Sequence, residues 1–83
     1  MRARINHGRR GVKIDTLLKT YEFECPMDYY QYIIDSYVNG HHGQVIELFN
    51  RMKEYDQKTL LLNVGEMAPI YGEKVHDLII KSM

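Results

Sequence analysis

The chain predicts an all-α fold: a small single-domain bundle of about four short helices around an αα-hairpin, preceded by a basic N-terminal arm. Three observations carry this reading. Met27, Tyr30, Ile34, Tyr37 and Val38 recur at helical steps and line one face, while Asp28, Gln31 and Asp35 point away. Val45, Leu48, Phe49 and Met52, widened by Ile46, make a second stripe, with Glu47, Asn50, Arg51 and Lys53 as its wet face. A short turn from Asn39 to Gly43 joins the two, so the helices must lie antiparallel or steeply crossed.

In chain order, the arm comes first. Residues 1–13, MRARINHGRRGVK, hold Arg2, Arg4, Arg9, Arg10 and Lys13 without an acid, a charge of +5, and leave −5 on the remaining 70 residues. Such asymmetry suggests an arm (1–13) and a helical body (14–83). With two glycines and little apolar periodicity, the arm reads as a solvated segment or one that touches phosphates. Deleting it should leave the body folded. Residues 14–25 are ambiguous: Tyr21, Phe23 and Cys25 alternate with Glu22 and Glu24 like a short strand, whereas Asp15 to Leu18 could open a helical turn. The first hairpin helix starts at Pro26, suited to a first helical position, and ends at Gly40, which can take positive φ. The second runs from Gln44 to Lys53. Asp56 reads as the N-cap of a third helix that spans Lys58 to Val64 and ends at Gly65; with Leu60, Leu61, Leu62 and Val64 it is apolar nearly all round and should be buried. A fourth begins at Pro69 or after Gly72 and turns Tyr71, Val75, Leu78 and Ile79 inward. Short connections favour a compact bundle.

Composition narrows the function classes. A chain of 83 residues with a 45% hydrophobic and 27% charged content is globular and has room for one modest core. No apolar run approaches the roughly 18 residues of a membrane span, and the basic N-terminus lacks a signal peptide's apolar stretch, so a cytoplasmic protein without membrane contact is expected. Cys25 stands alone and excludes an intramolecular disulfide; before Pro26 it reads as a packed thiol.

Catalytic and metal chemistry find no purchase in the pattern. His41 and His42 are adjacent, but side chains in a turn diverge, and His7 and His76 stand apart, so no metal or cofactor is expected. No glycine-rich phosphate loop is present, and a Cys25–His nucleophilic pair would need a tertiary contact. The expectation is a protein that is not an enzyme. As a DNA-reading helix-turn-helix, the second hairpin helix would present Glu47 first and only Arg51 and Lys53 late. The tyrosines are more informative. Tyr29, Tyr30, Tyr32 and Tyr37 lie within nine residues and cannot all face one core, so Tyr29 or Tyr32 should be partly exposed and available for recognition.

Two resemblances touch the hairpin. Tyr30, Ile33, Ile34, Asp35, Tyr37, Gly40, Ile46, Glu47, Leu48, Phe49 and Met52 resemble one pentatricopeptide-repeat unit, over 23 of 83 residues. No second copy follows at the repeat period, so the similarity reads as convergence on a helical hairpin and implies no RNA-reading residues. Residues 27–54, with YYQYIIDSYVNG followed by QVIELFNRM, also look like a loose group of short bacteriophage and mobile-element proteins. That resemblance implies an accessory or inhibitor-like protein that binds host or competitor proteins, and it fits an extension ahead of Met27.

The expected function is therefore protein binding without catalysis, through Tyr29, Tyr32, His41 and His42, by a monomer or a homo-oligomer. The alternative is nucleic-acid binding through Arg2, Arg4, Arg9, Arg10 and Lys13.

Overall fold

The computed structural model describes residues 2–83 and places five helices in one globule, with no strand among them. They are α1 (Ile14–Tyr21), α2 (Pro26–Val38), α3 (His42–Arg51), α4 (Glu54–Met67) and α5 (Pro69–Ser82). The extra helix is α1. The alternation at residues 21–25 does not form a strand: Tyr21 closes α1, Glu22 turns the chain, and Cys25 is extended ahead of Pro26.

Two of the stops share one mechanism. Glu22 has φ 60, and behind it the Phe23 N–H reaches the Leu18 carbonyl at 2.8 Å while Glu22 N–H reaches Lys19. At the end of α2, Gly40 has φ 79, His41 N–H reaches the Ser36 carbonyl at 2.8 Å, and Gly40 N–H reaches Tyr37. Both are Schellman closures with a left-handed residue after the helix. The first carries a side chain where the second carries glycine.

The α4–α5 junction is a proline stop. Ala68, at φ −148 and ψ 88, leaves the helical region that a following proline disfavours, and Pro69 begins α5 at the next position. Gly65 does not end α4, which continues to Met67. The two helices then cross closely because Gly72 faces the Val64 carbonyl, where any Cβ would overlap backbone. Asp56 is not the N-cap of this helix but part of its first turn, near the Ile14 N–H. Burial pushes its pKa up and that N–H partly offsets the rise.

The core draws on every helix. Leu17 of α1, Tyr29 and Ile33 of α2, Val45, Leu48 and Phe49 of α3, Leu60 and Val64 of α4, and Val75 and Ile79 of α5 are buried together, and Ala3 joins them. The radius of gyration is 11.5 Å, close to the roughly 12 Å expected of a compact domain this long. The expectation of a buried third helix fails at Leu62, which is 79% exposed, and Tyr71 is exposed where an inner position was expected. Met27 and Val38 are exposed as well. α4 lies at the surface with Gln57, Leu60 and Val64 inward, so its apolar run exceeds what the core covers.

The two closures make opposite predictions. Gly40→Ala should cost about 1 kcal/mol, and Glu22→Gly should stabilise by about 0.5–1 kcal/mol, both read from urea midpoints. Equal effects of the same sign would contradict the shared geometry.

Candidate functional site

The segment expected to be a free arm is built into the body. Ala3 and Asn6 are buried, and the route of residues 2–12 follows the C-terminal end of α3. A helix leaves its last four carbonyls without helical partners, and α3 finds all four elsewhere in the chain. Leu48 C=O accepts the Tyr29 hydroxyl at 2.7 Å, and Phe49 C=O accepts Gln57 Nε2 at 2.8 Å. Asn50 C=O accepts Asn6 Nδ2 at 2.6 Å, and Arg51 C=O accepts the Val12 N–H at 2.8 Å. Asn6 Nδ2 also donates to Met52 C=O at 2.6 Å.

Three amide side chains complete the join. Gln57, fully buried, accepts the Asn6 N–H on Oε1 at 2.8 Å and donates from Nε2 to Arg4 C=O at 2.9 Å. Asn50, expected on the wet face, is buried: it accepts the Arg4 N–H at 2.9 Å and donates to Arg2 C=O at 2.8 Å. Among the described residues no buried side-chain polar atom lacks a partner. Gly11 completes the path with φ 88, close enough to the Met52 carbonyl that a Cβ would collide with it. The arm is therefore a structural element, because its backbone and the α3 terminus satisfy each other.

This course assembles a cationic face. Arg4, Gly11 and Val12 from the segment and Glu47, Asn50 and Arg51 from α3 line an open cleft of about 450 Å³. Arg51 pairs with Glu47 at 2.7 Å, and Lys53 Nζ reaches the Arg9 carbonyl at 3.5 Å. Arg2, Arg9, Arg10 and Lys13 are exposed along the same segment. The five arm cations stand out in the sequence, whereas their approach to Arg51 and Lys53 exists only in the folded chain. His7 meets Glu54 at 3.0 Å and Lys58 meets Glu54 at 3.3 Å; hydrogen bonds from Lys58 first and His7 second hold the Glu54 carboxyl below its usual range.

The four residues expected as a protein-binding surface do not come together. Tyr29 is fully buried, its ring edge-on to Tyr21 at 5.8 Å, and burial raises its hydroxyl pKa. It is removed from any contact surface because its hydroxyl serves Leu48. Tyr32 is half-buried, with Phe23 at 5.6 Å, and its hydroxyl accepts Gln44 Nε2. His41 and His42 are exposed, and His42 stacks on Tyr37 at 4.7 Å beside a cleft that also holds Lys74 and Lys81 of α5. Cys25 is exposed, not packed. No group of His, Cys, Asp and Glu side chains able to hold a metal ion occurs among the described residues.

Exposed apolar side chains lie elsewhere, beside carboxylates. A cleft of about 430 Å³ is lined by Met27, Tyr30, Asn63, Glu66 and Met67, and a second, between α4 and α5, by Leu61, Leu62, Gly65, Glu66, Glu73, His76 and Asp77. They meet at Glu66. Ile70 is 69% exposed at the start of α5. The excess of apolar residues in α4 was the available signal for this surface. No protein-family model, curated protein or solved structure matches the chain.

Gln57 tests the join. Gln57→Leu strips partners from the Asn6 N–H and the Arg4 carbonyl and should cost about 2–4 kcal/mol in urea unfolding. Gln57→Glu adds a pH signature. Burial raises the folded pKa of the introduced carboxyl, so the unfolded chain releases its proton first as pH rises. That variant should approach the parent near pH 4, where the protonated acid can still donate and accept, and fall away toward pH 7. A pH-independent deficit relative to the parent would contradict a buried position 57.

Proposed function

We propose that the chain is a small, non-catalytic protein-binding module whose partner contacts the apolar surface between α2 and the α4–α5 pair. The exposure of Leu62, at 79%, together with Met27 and Ile70 is the observation that supports this. Met27 and Leu62 line two clefts that share Glu66, and large exposed apolar side chains favour a partner, because covering them removes apolar area from water at about 25 cal/mol per Å². Tyr71 adds an aromatic ring with a polar tip, the residue type that often anchors interfaces. His41 and His42 form a separate accessible contact at the α2–α3 turn. The resemblance to short phage proteins extends the reading to an accessory or inhibitor-like role against host or defence proteins, in the cytoplasm.

The test uses the full chain with a photo-crosslinking residue at position 62 and, as a control, at position 19 on α1. A specific partner should crosslink from position 62, persist from 50 to 500 mM salt, and be lost in Leu62→Asp/Ile70→Asp with its melting temperature retained. Equal crosslinking from both positions, or none from position 62, would remove the support for this surface. Crosslinking only to further copies of the chain would identify a homo-oligomer in place of a separate partner.

A further inference from the structure

We infer that the face formed by residues 2–13 and the end of α3 is a second binding site, one that takes the phosphodiester backbone of duplex nucleic acid without reading its sequence. Four observations carry this. The first is charge. Residues 2–13 carry Arg2, Arg4, Arg9, Arg10 and Lys13 with no acid, a charge of +5, and run along the end of α3, which adds Arg51 and Lys53 beside Glu47 and Glu54, whereas residues 14–83 carry −5. The molecule is neutral but strongly dipolar, and a concentrated positive patch attracts polyanions whatever the total charge.

The second is rigidity. The backbone that carries these cations is fixed at Ala3, Arg4, Asn6 and Val12 by hydrogen bonds to Ser82, Asn50, Gln57 and Arg51. A partner would then meet groups already in place rather than ordering a tail on contact. The third is residue type. Five of the seven cations are arginines, whose planar fork matches a phosphate's paired oxygens. Arg4 and Arg51 line one open cleft that an oxyanion can enter, and Glu47 there holds Arg51 in reserve.

The fourth is the lining of this cleft, which among the described residues holds no aromatic ring and no large apolar side chain other than Val12. Single-strand binders stack bases on aromatic side chains, and protein interfaces bury apolar anchors; a cleft of charge and backbone suits the phosphate ridge of a duplex. The site is distinct from the apolar surface on α4 and α5, so either can fail alone.

The experiment is fluorescence anisotropy of the full chain with a 20-base-pair DNA duplex, an RNA duplex of equal length, each single strand, and poly-glutamate of matched charge. If four phosphates are neutralised, affinity for a duplex should fall about a hundredfold between 50 and 200 mM salt, from a log–log slope of roughly −3.6. Arg4→Gln/Arg51→Gln should flatten that slope by about 2, and Glu47→Gln, which removes the competing carboxylate, should tighten binding severalfold. Lys74→Gln/Lys81→Gln on α5 should change nothing. Thermal unfolding of each variant separates lost binding from lost fold, and the gain expected of Glu47→Gln cannot arise from misfolding. Duplex binding by DNA alone, by RNA alone, or by both supports the site and distinguishes its source. No duplex binding at 50 mM salt, single strands bound more tightly than duplexes, poly-glutamate bound as tightly as either duplex, or an unchanged slope in Arg4→Gln/Arg51→Gln would overturn it.

Discussion

The last four carbonyls of α3 lie beyond the helix's own i to i+4 ladder, and three other parts of the chain reach them: Tyr29 from α2, Gln57 from α4, and Asn6 and Val12 from the N-terminal segment, while the C-cap Met52 N–H also meets the Phe49 carbonyl. In water such groups would be solvated at little cost, but here the Leu48, Phe49 and Asn50 carbonyls make buried hydrogen bonds. An unmet buried carbonyl costs about 1–3 kcal/mol, so these three together rival the net stability of a domain this small. The bundle therefore depends on bringing these donors to one place. That requirement fixes the path of residues 2–13, buries Tyr29 and Gln57, and makes the N-terminal segment part of the fold.

The same requirement explains how charge is distributed. Once the backbone of the segment is bound to the α3 terminus, its arginine side chains are left to solvent and fall in with Arg51 and Lys53. Cations at a helix C-terminus also meet the negative end of its dipole, and Arg51 occupies the last turn of α3. A basic segment is thus doubly suited to this position: its N–H and amide groups meet the carbonyls, and its charge complements the dipole. Elsewhere α4 and α5 present Leu62 and Ile70 to solvent and carry an apolar surplus. Two chemically unlike faces result from a single small core.

Much of the architecture was legible in local signals. Pro26, Gly40 and Pro69 mark helix boundaries because each restricts or frees the backbone at its own position, and the stripes of α2 and α3 pointed to Tyr30, Ile34, Val45, Leu48 and Phe49 as buried. What was not legible was tertiary hydrogen bonding. Asn6, Asn50 and Gln57 read as ordinary polar residues, since nothing within a few positions of any of them indicates that all three will be buried. Tyr29 was misplaced for the same reason: its hydroxyl has a partner 19 residues away. Glu22 concealed the end of α1, because a glutamate in the left-handed region gives no glycine signal. Of the site residues, Arg4 could be named from composition, but its neighbour Arg51 became visible only when the segment was laid along α3.

Native-state hydrogen exchange of individual amides tests the central claim most directly. The Asn6 and Val12 N–H groups are held by Gln57 Oε1 and the Arg51 carbonyl at 2.8 Å each. If the N-terminal segment belongs to the cooperative fold, both should exchange only through global unfolding, as slowly as the Phe49 amide in the core. Exchange of Asn6 and Val12 at the rate of an open loop, with Phe49 still protected, would mean that the segment detaches freely and that α3 does not rely on it.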